Sequence, residues 1–419
     1  MRFLHCADIH LDSPLRGLER YEGAPVEEVR GATRRAFDNL VQYAVRERLD
    51  FVVIAGDLYD GDWPDFNTGL FFAKGMAQLG ESGIDAYVLR GNHDAASKLT
   101  RSLPLPKNVH LFPDSAPRTL TNDNLGLAVH GQSFATAAVL DDLAAAYPQA
   151  VRGCFNLGVL HTSLNGRPGH DNYAPTTEAI LRSKGYDYWA LGHVHAREIV
   201  LRAPWVVYPG NIQGRHIREQ GAKGCELVTV EDGSITTEPV ALDVLRWTEL
   251  AIDVAGLPDL DALFDSAAAG VRTELARADG RILGLRIRVH GAGVVHRDVS
   301  ARPEVIAEQL RAVVLDASSG DAWLEKIDLR VRPLVEVDRL AAGDDPVALL
   351  VRELRALTQD GERLISFAND TLKELRQKLP PDLSEHDLSR LDAPDVLGEL
   401  LLEAEGELLA RLAGERGSL

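Results

Sequence analysis

Five short apolar runs in the first 240 residues each end in a cluster of Asp, His, Asn or Gly, and this repetition limits the fold more than any other feature. Phe3-Leu4-His5-Cys6 runs into Asp8-Ile9-His10, and Phe51-Val52-Val53-Ile54-Ala55 into Gly56-Asp57. Ala86-Tyr87-Val88-Leu89 runs into Arg90-Gly91-Asn92-His93-Asp94. Leu157-Gly158-Val159-Leu160 ends at His161, and Tyr188-Trp189-Ala190-Leu191 at Gly192-His193-Val194-His195. Short, continuous, β-branched-rich runs are the mark of strands buried on both faces. Between the first two, Val29, Ala36, Phe37, Leu40, Val41, Ala44 and Val45 recur at helical spacing, and a second helix is expected over Thr68–Leu79. Strand alternating with helix predicts a layered α/β domain. In such folds the chemistry lies just past the C-terminal ends of the strands, where all five clusters fall.

The pattern then changes twice. The first domain is expected over 1–242. A small α+β cap follows over 243–338, with alternating strands at Leu250–Val254, Leu283–Val289 and Ile327–Val331. Between them, helices are expected around Leu260–Ala267 and Val305–Val314. From 339 to 419 only Leu-rich, acidic helical patterns remain, broken at Pro380-Pro381, with a last helix over Ala393–Ala413.

The cluster side chains Asp8, His10, Asp57, Asn92, His161, His193 and His195 are carboxylate, amide and imidazole, with no thiolate. Such a set suits Mn²⁺, Fe²⁺ or Zn²⁺. Seven donors are too many for one tetrahedral ion and fit two ions sharing a carboxylate, an arrangement that clamps an in-line displacement at phosphorus. The three cysteines, Cys6, Cys154 and Cys225, are too few and too scattered for a disulfide framework and are expected to be buried spacers. Lys and Arg total 45 against 63 Asp and Glu, a net charge of −18, which excludes nucleic-acid binding by bulk positive charge. No apolar stretch reaches the length of a membrane span, so a cytoplasmic chain is expected.

Taken in order, Asp-x-His, Gly-Asp, Gly-Asn-His-Asp, a lone His and Gly-His-x-His resemble the five motifs of the calcineurin-like metallophosphoesterases, over about residues 1–216. Asp8–Pro14, Gly56–Asp60 and Leu89–Asp94 carry a closer resemblance to the SbcD-type DNA repair exonucleases, in particular their bacterial YhaO-like branch. That resemblance implies a layered α/β sandwich and two divalent ions, with Mn²⁺ the first expectation. It assigns Asp8, His10, Asp57 and His195 to one ion. The second takes the bridging Asp57 with Asn92, His161 and His193. His93 is left as a catalytic non-ligand with Asp94 as its orienting partner. Archaeal and eukaryotic relatives carry a His three residues after the bridging Asp. Here Asp60 stands there, as in bacterial members, and its role is open. The implied partners are DNA, an SMC-like coiled-coil ATPase docking on the helical tail, and a second copy of the chain.

Blander readings stand beside these. His93 would be a structural hydrogen-bonder, His5 a core residue, and His170 a loop residue near Tyr173. Arg286, Arg288, Arg330 and Arg332 would form either a phosphate track on one sheet face or a solvated surface. The leading expectation is a DNA phosphodiesterase. The alternatives are a small-substrate phosphoesterase, acting on a nucleotide, cyclic nucleotide or lipid-sugar pyrophosphate, and a scaffold with little activity.

Overall fold

A computed structural model describes residues 1–13, 29–60, 67–96, 104–166, 172–334 and 341–378, with scattered positions from 396 to 408. His170, the Pro380-Pro381 break and most of the expected last helix lie outside them.

The expected α/β layering is present, built on two six-stranded sheets. In the first, β1 (Arg2–Cys6), β2 (Phe51–Ala55), β3 (Asp85–Leu89) and β4 (Val109–Leu111) run parallel. Antiparallel β11 (Gly224–Glu231) and β12 (Ser234–Ala241) extend it beyond β1. In the second sheet, β6 (Leu127–Gly131), β7 (Phe155–His161), β8 (Tyr188–Gly192) and β10 (Trp205–Tyr208) are parallel. Antiparallel β5 (Arg118–Asn122) and β9 (Glu198–Arg202) close its two edges. Helices α1 (Ala32–Glu47) and α2 (Asn67–Glu81) cover the first sheet. The short α3 (Asn92–Ala96) follows β3, and α4 (Glu178–Ser183) precedes β8.

Strand parity explains why the apolar runs are unbroken. Leu4, Val52, Ile54 and Val88 pack on Phe37, Leu40, Phe72 and Met76 of the helices. Their neighbours Phe3, Phe51, Val53 and Tyr87 face Leu157, Val159, Tyr188 and Ala190 of the second sheet. On that sheet's far side, Leu160, Trp189 and Leu191 meet Tyr147, Leu181 and Tyr186. A strand with both faces in a core cannot alternate with polar residues. His5 sits within this core as expected, its Nδ1 3.0 Å from the Tyr188 hydroxyl and its Nε2 3.0 Å from the Leu191 carbonyl. Cys6 and Cys225 are buried free thiols, and Cys154 is half-buried.

At the strand ends the two sheets come into near contact. A Cβ on Gly192 would fall on the Ala55 carbonyl oxygen, and one on Gly56 would come within 2.5 Å of His161 Nδ1. Glycine is required here by the near contact of two backbones.

A third sheet of order β13-β14-β15 comprises Leu245–Asp253, Ile282–Gly293 and Ala322–Pro333. With it come α5 (Leu260–Ala278), α6 (His296–Ala301) and α7 (Pro303–Ser318), then α8 (Pro346–Gln359) and α9 (Gly361–Lys378). Two compact units result. One holds 1–249, 272–286 and 318–326; the other holds 250–271, 287–317 and 327–419. In the first, Trp247 packs edge-on against Trp323 at 5.2 Å, and its indole donates to the Gly214 carbonyl at 3.0 Å. In the second, Leu364 and Ala368 of α9 pack with Leu397, Leu401, Leu354 and Leu357.

Of the four guanidinium groups weighed as a phosphate track or a solvated face, three are paired within the sheet. Arg286 is forked onto the buried Glu325 by two bonds of 2.8 Å. Asp328 lies 3.8 Å from Arg288 and 2.8 Å from Arg330. Three of the four charges therefore face a carboxylate of the same sheet, and a charge so paired offers little to a phosphate.

Because the seam leaves no room for a methyl group, Gly192→Ala should lower stability to urea unfolding by about 1–3 kcal/mol, the usual cost of overpacking. An unchanged urea midpoint would mean that the strand ends are looser than described.

Candidate metal centre

All seven expected donors come together at this seam. Asp8 and His10 follow β1, Asp57 follows β2, and Asn92 opens α3 after β3. His161 ends β7, and His193 and His195 follow β8. Asp8, His10, Asp57 and His193 have φ of 50°, 47°, 51° and 99°, a left-handed backbone that turns each side chain sharply off its strand. Six of the seven fall into two sets, Asp8 with His10 and His195, and Asp57 with His161 and His193, and a further group joins His10 to Asp60 and His93. Within each, one ligand atom per residue lies within 4.8 Å of the others. At metal–nitrogen distances of about 2.0–2.1 Å, donors on opposite sides of an ion stand about 4 Å apart, so each set has the size of a coordination shell. Asp57 Oδ2 lies between the sets, 3.5 Å from His161 Nε2 and 4.0 Å from His10 Nε2.

The hydrogen bonds around the donors favour cations. His161 Nδ1 is 2.9 Å from the Ala55 carbonyl, which can only accept, so that nitrogen carries a proton. Its Nε2 then faces Asn92 Oδ1 at 2.9 Å and Asp57 Oδ2 at 3.5 Å. Three acceptors converge there, and only a proton or a metal ion can sit among them. Without metal the proton takes that place: burial opposes it, but the Asp57 carboxylate outweighs burial and lifts His161 to about 9. His10 and His195 meet Nε2 to Nε2 at 3.2 Å, a second pair of ring nitrogens aimed at one point. Burial pushes Asp8 up and His10 down, whereas His161 and the other histidines overcome burial to hold Asp57 low. Backbone amides assist, from His193 to both oxygens of Asp8 and from His93 to Asp57 Oδ1. The residues present fit two divalent ions.

Several supporting residues are not visible in the motifs. Glu219 is buried and stands 2.7 Å from His195 Nδ1, which fixes the tautomer that leaves Nε2 as a donor. Asn211 Nδ2 holds the other oxygen of Glu219 at 2.9 Å. One signal could have found Asn211: Trp205-Val206-Val207-Tyr208 followed by Pro209-Gly210-Asn211 is a sixth apolar run with a polar end. Glu219 has no such marker. The open question over Asp60 closes in favour of His93. Asp60 Oδ1 is 2.9 Å from His93 Nδ1 and Oδ2 accepts from Ser13 at 2.6 Å. The contact with Asp60 raises the His93 pKa, against the opposing pull of burial.

Asp94, expected as the orienting partner of His93, is corrected by the same geometry. It is fully buried, and its oxygens accept the amides of Gly91 and Leu58 and of Tyr59 at 3.0–3.1 Å. It staples the turn after β2 to the turn after β3. Burial first, then the charge of Asp57, raise it to about 7.

Residues 1–197 match the family model of the calcineurin-like phosphoesterases, and residues 247–332 match the model of the middle domain of metallophosphoesterase YhaO. The protein named "Uncharacterized metallophosphoesterase YhaO" of Bacillus subtilis (strain 168) is 38% identical over 268 residues, covering 63% of this chain and 66% of that relative. Among solved structures, a dimetal phosphatase from Danio rerio is 13% identical, with a TM-score of 0.36 over 58% of this chain and 96% of that one. The protein TT1561 of Thermus thermophilus is 14% identical, with a TM-score of 0.32 over 57% of this chain and 98% of that one.

With Asp94 as a staple, Asp94→Asn places an amide donor against backbone donors. It should cost about 1–3 kcal/mol in urea unfolding, the penalty of an unsatisfied buried group. Loss of activity at unchanged stability would instead return Asp94 to the chemistry.

Proposed function

We propose that this chain, whose first 197 residues match the family model of the calcineurin-like phosphoesterases, is a two-metal phosphodiesterase that cleaves DNA. The observation that carries the phosphodiesterase reading is the meeting of two donor sets on either side of Asp57. When bound, two divalent ions supply the Lewis acidity and the activated nucleophile that displacement at phosphorus needs. The chain's own residues hold and align. His195 is oriented by Glu219 and His161 by the Ala55 carbonyl, so both present Nε2 to the centre. His93, tied through Nδ1 to Asp60 and 40% exposed, keeps Nε2 for a phosphate oxygen. There it can stabilise developing charge or protonate the leaving oxygen.

DNA as substrate, in a repair nuclease of the SbcC–SbcD kind, rests on the motif resemblance and on the extra domain at 247–332. An SMC-like ATPase is the proposed partner of the tail, where Leu349 and Phe367 remain 57% and 49% exposed. A second copy of the chain is a further proposed partner. Among the described residues no helix is long and apolar enough to cross a membrane.

One observation favours the small-substrate reading: Arg286, Arg288 and Arg330 are met by Glu325 and Asp328, which weakens the expected track for a polyanion.

Linear DNA and bis(p-nitrophenyl) phosphate, each with Mn²⁺, separate the readings. Cleavage of DNA supports the nuclease, cleavage of the dye diester alone the small-substrate enzyme, and cleavage of neither the scaffold. Asp57→Asn should abolish turnover and leave fewer than two ions bound by metal analysis. His93→Ala should keep both ions and lose about 10²–10⁴-fold in kcat. Metal loss in His93→Ala would overturn its placement outside the coordination shell.

A further inference from the structure

One cation lies beside both carboxylates that orient histidines of the centre. We propose that Arg215 is a positioning residue that clamps Asp60 and Glu219 together, and so fixes His93 and His195 relative to each other. The inference rests on the two-metal reading above.

Arg215 lies on the segment between β10 and β11. Its Nη2 donates to Glu219 Oε1 at 3.1 Å and lies 3.2 Å from His195 Nδ1. Its Nη1 stands 3.8 Å from Asp60 Oδ2. Its own backbone amide donates to Glu219 Oε2 at 2.7 Å. Asp60 follows β2 of the first sheet and Glu219 follows β10 of the second, so one guanidinium spans the loops of both sheets. A planar fork with five donors can serve two carboxylates at once, which a lysine ammonium on its flexible stem cannot do as rigidly.

The two carboxylates do not depend on Arg215 equally. Glu219 is buried and retains Asn211 Nδ2 and the Arg215 amide whatever side chain stands at 215. Asp60 is 21% exposed, and apart from Arg215 its side chain is held by Ser13 and the imidazoles of His93 and His10. Removing the guanidinium releases Asp60 first. The effect on His93 should then exceed the effect on His195, and turnover should suffer more than metal binding.

The test uses the full chain. Mn²⁺ alone is titrated by calorimetry, and kcat and KM are measured with bis(p-nitrophenyl) phosphate. Arg215→Met should lower kcat by about 10–100-fold, the usual cost of losing an outer support, with KM within about threefold and both ions still bound. In a double-mutant cycle, Arg215→Met added to Asp60→Asn should cost little beyond Asp60→Asn alone, because both act through one contact. Should Arg215→Met fail to fold by circular dichroism, the same cycle with Arg215→Lys decides, since it keeps the charge and loses the fork. Additive losses would overturn the proposal. So would a KM raised tenfold at intact kcat, which would make the guanidinium a direct phosphate contact through Nε, a buried donor with no partner among the described residues. Wild-type chain binding fewer than two Mn²⁺ sinks the two-metal reading itself. Two ions bound, with Arg215→Met kinetically indistinguishable from wild type, sinks only the clamp.

Discussion

Two carboxylates, Asp8 and Asp57, are each about 1% exposed at the seam between two sheets, and much of the first unit follows from making that burial tolerable. An isolated buried carboxylate either loses its charge or finds compensation. Asp57 finds it within the chain, in His161, His10 and the His93 amide. Asp8 has the His193 amide and a distant His195, and burial still pushes it up. The unmet part of the demand is what a divalent cation would satisfy. The parallel strands matter because only strand ends can bring so many short polar side chains to one point while their bodies stay in apolar cores.

Legibility in the sequence followed from where each constraint acts. The central strands were readable because both of their faces are buried, so Phe51–Ala55 carries no polar interruption. Edge strands were not: Ser234–Ala241 alternates exposed and half-buried residues and reads as a loop with some periodicity. The seven donors were readable because each sits at the end of its strand or within four residues of it. Glu219 and Asp60 act through space, on histidines 24 and 33 residues away, and a linear pattern holds no trace of that.

The misreading of Asp94 has the opposite cause. Adjacency to His93 suggested a pair, but successive residues of the short helix at Asn92–Ala96 cannot face the same way. His93 therefore takes its carboxylate from the turn after β2, while Asp94 turns inward to the amides of Gly91, Leu58 and Tyr59. The cap arginines show a related limit. Periodicity places Arg286 and Arg288 away from the buried face of their strand but cannot tell that Glu325 and Asp328 sit across from them.

The left-handed backbone at Asp8, His10, Asp57 and His193 also governs how such a site can evolve. Asp, Asn and His enter that region several times more readily than other side chains, and β-branched or bulky residues rarely do. Each of the four positions thus meets two demands, one from the turn and one from the proposed donor role. Glutamate offers the same carboxylate but lacks that backbone tolerance, and its extra methylene would carry the oxygens past the centre. The exchanges open to these positions are among Asp, Asn and His. Such exchanges would trade oxygen for imidazole nitrogen at a bound ion while leaving the backbone of the strand ends intact.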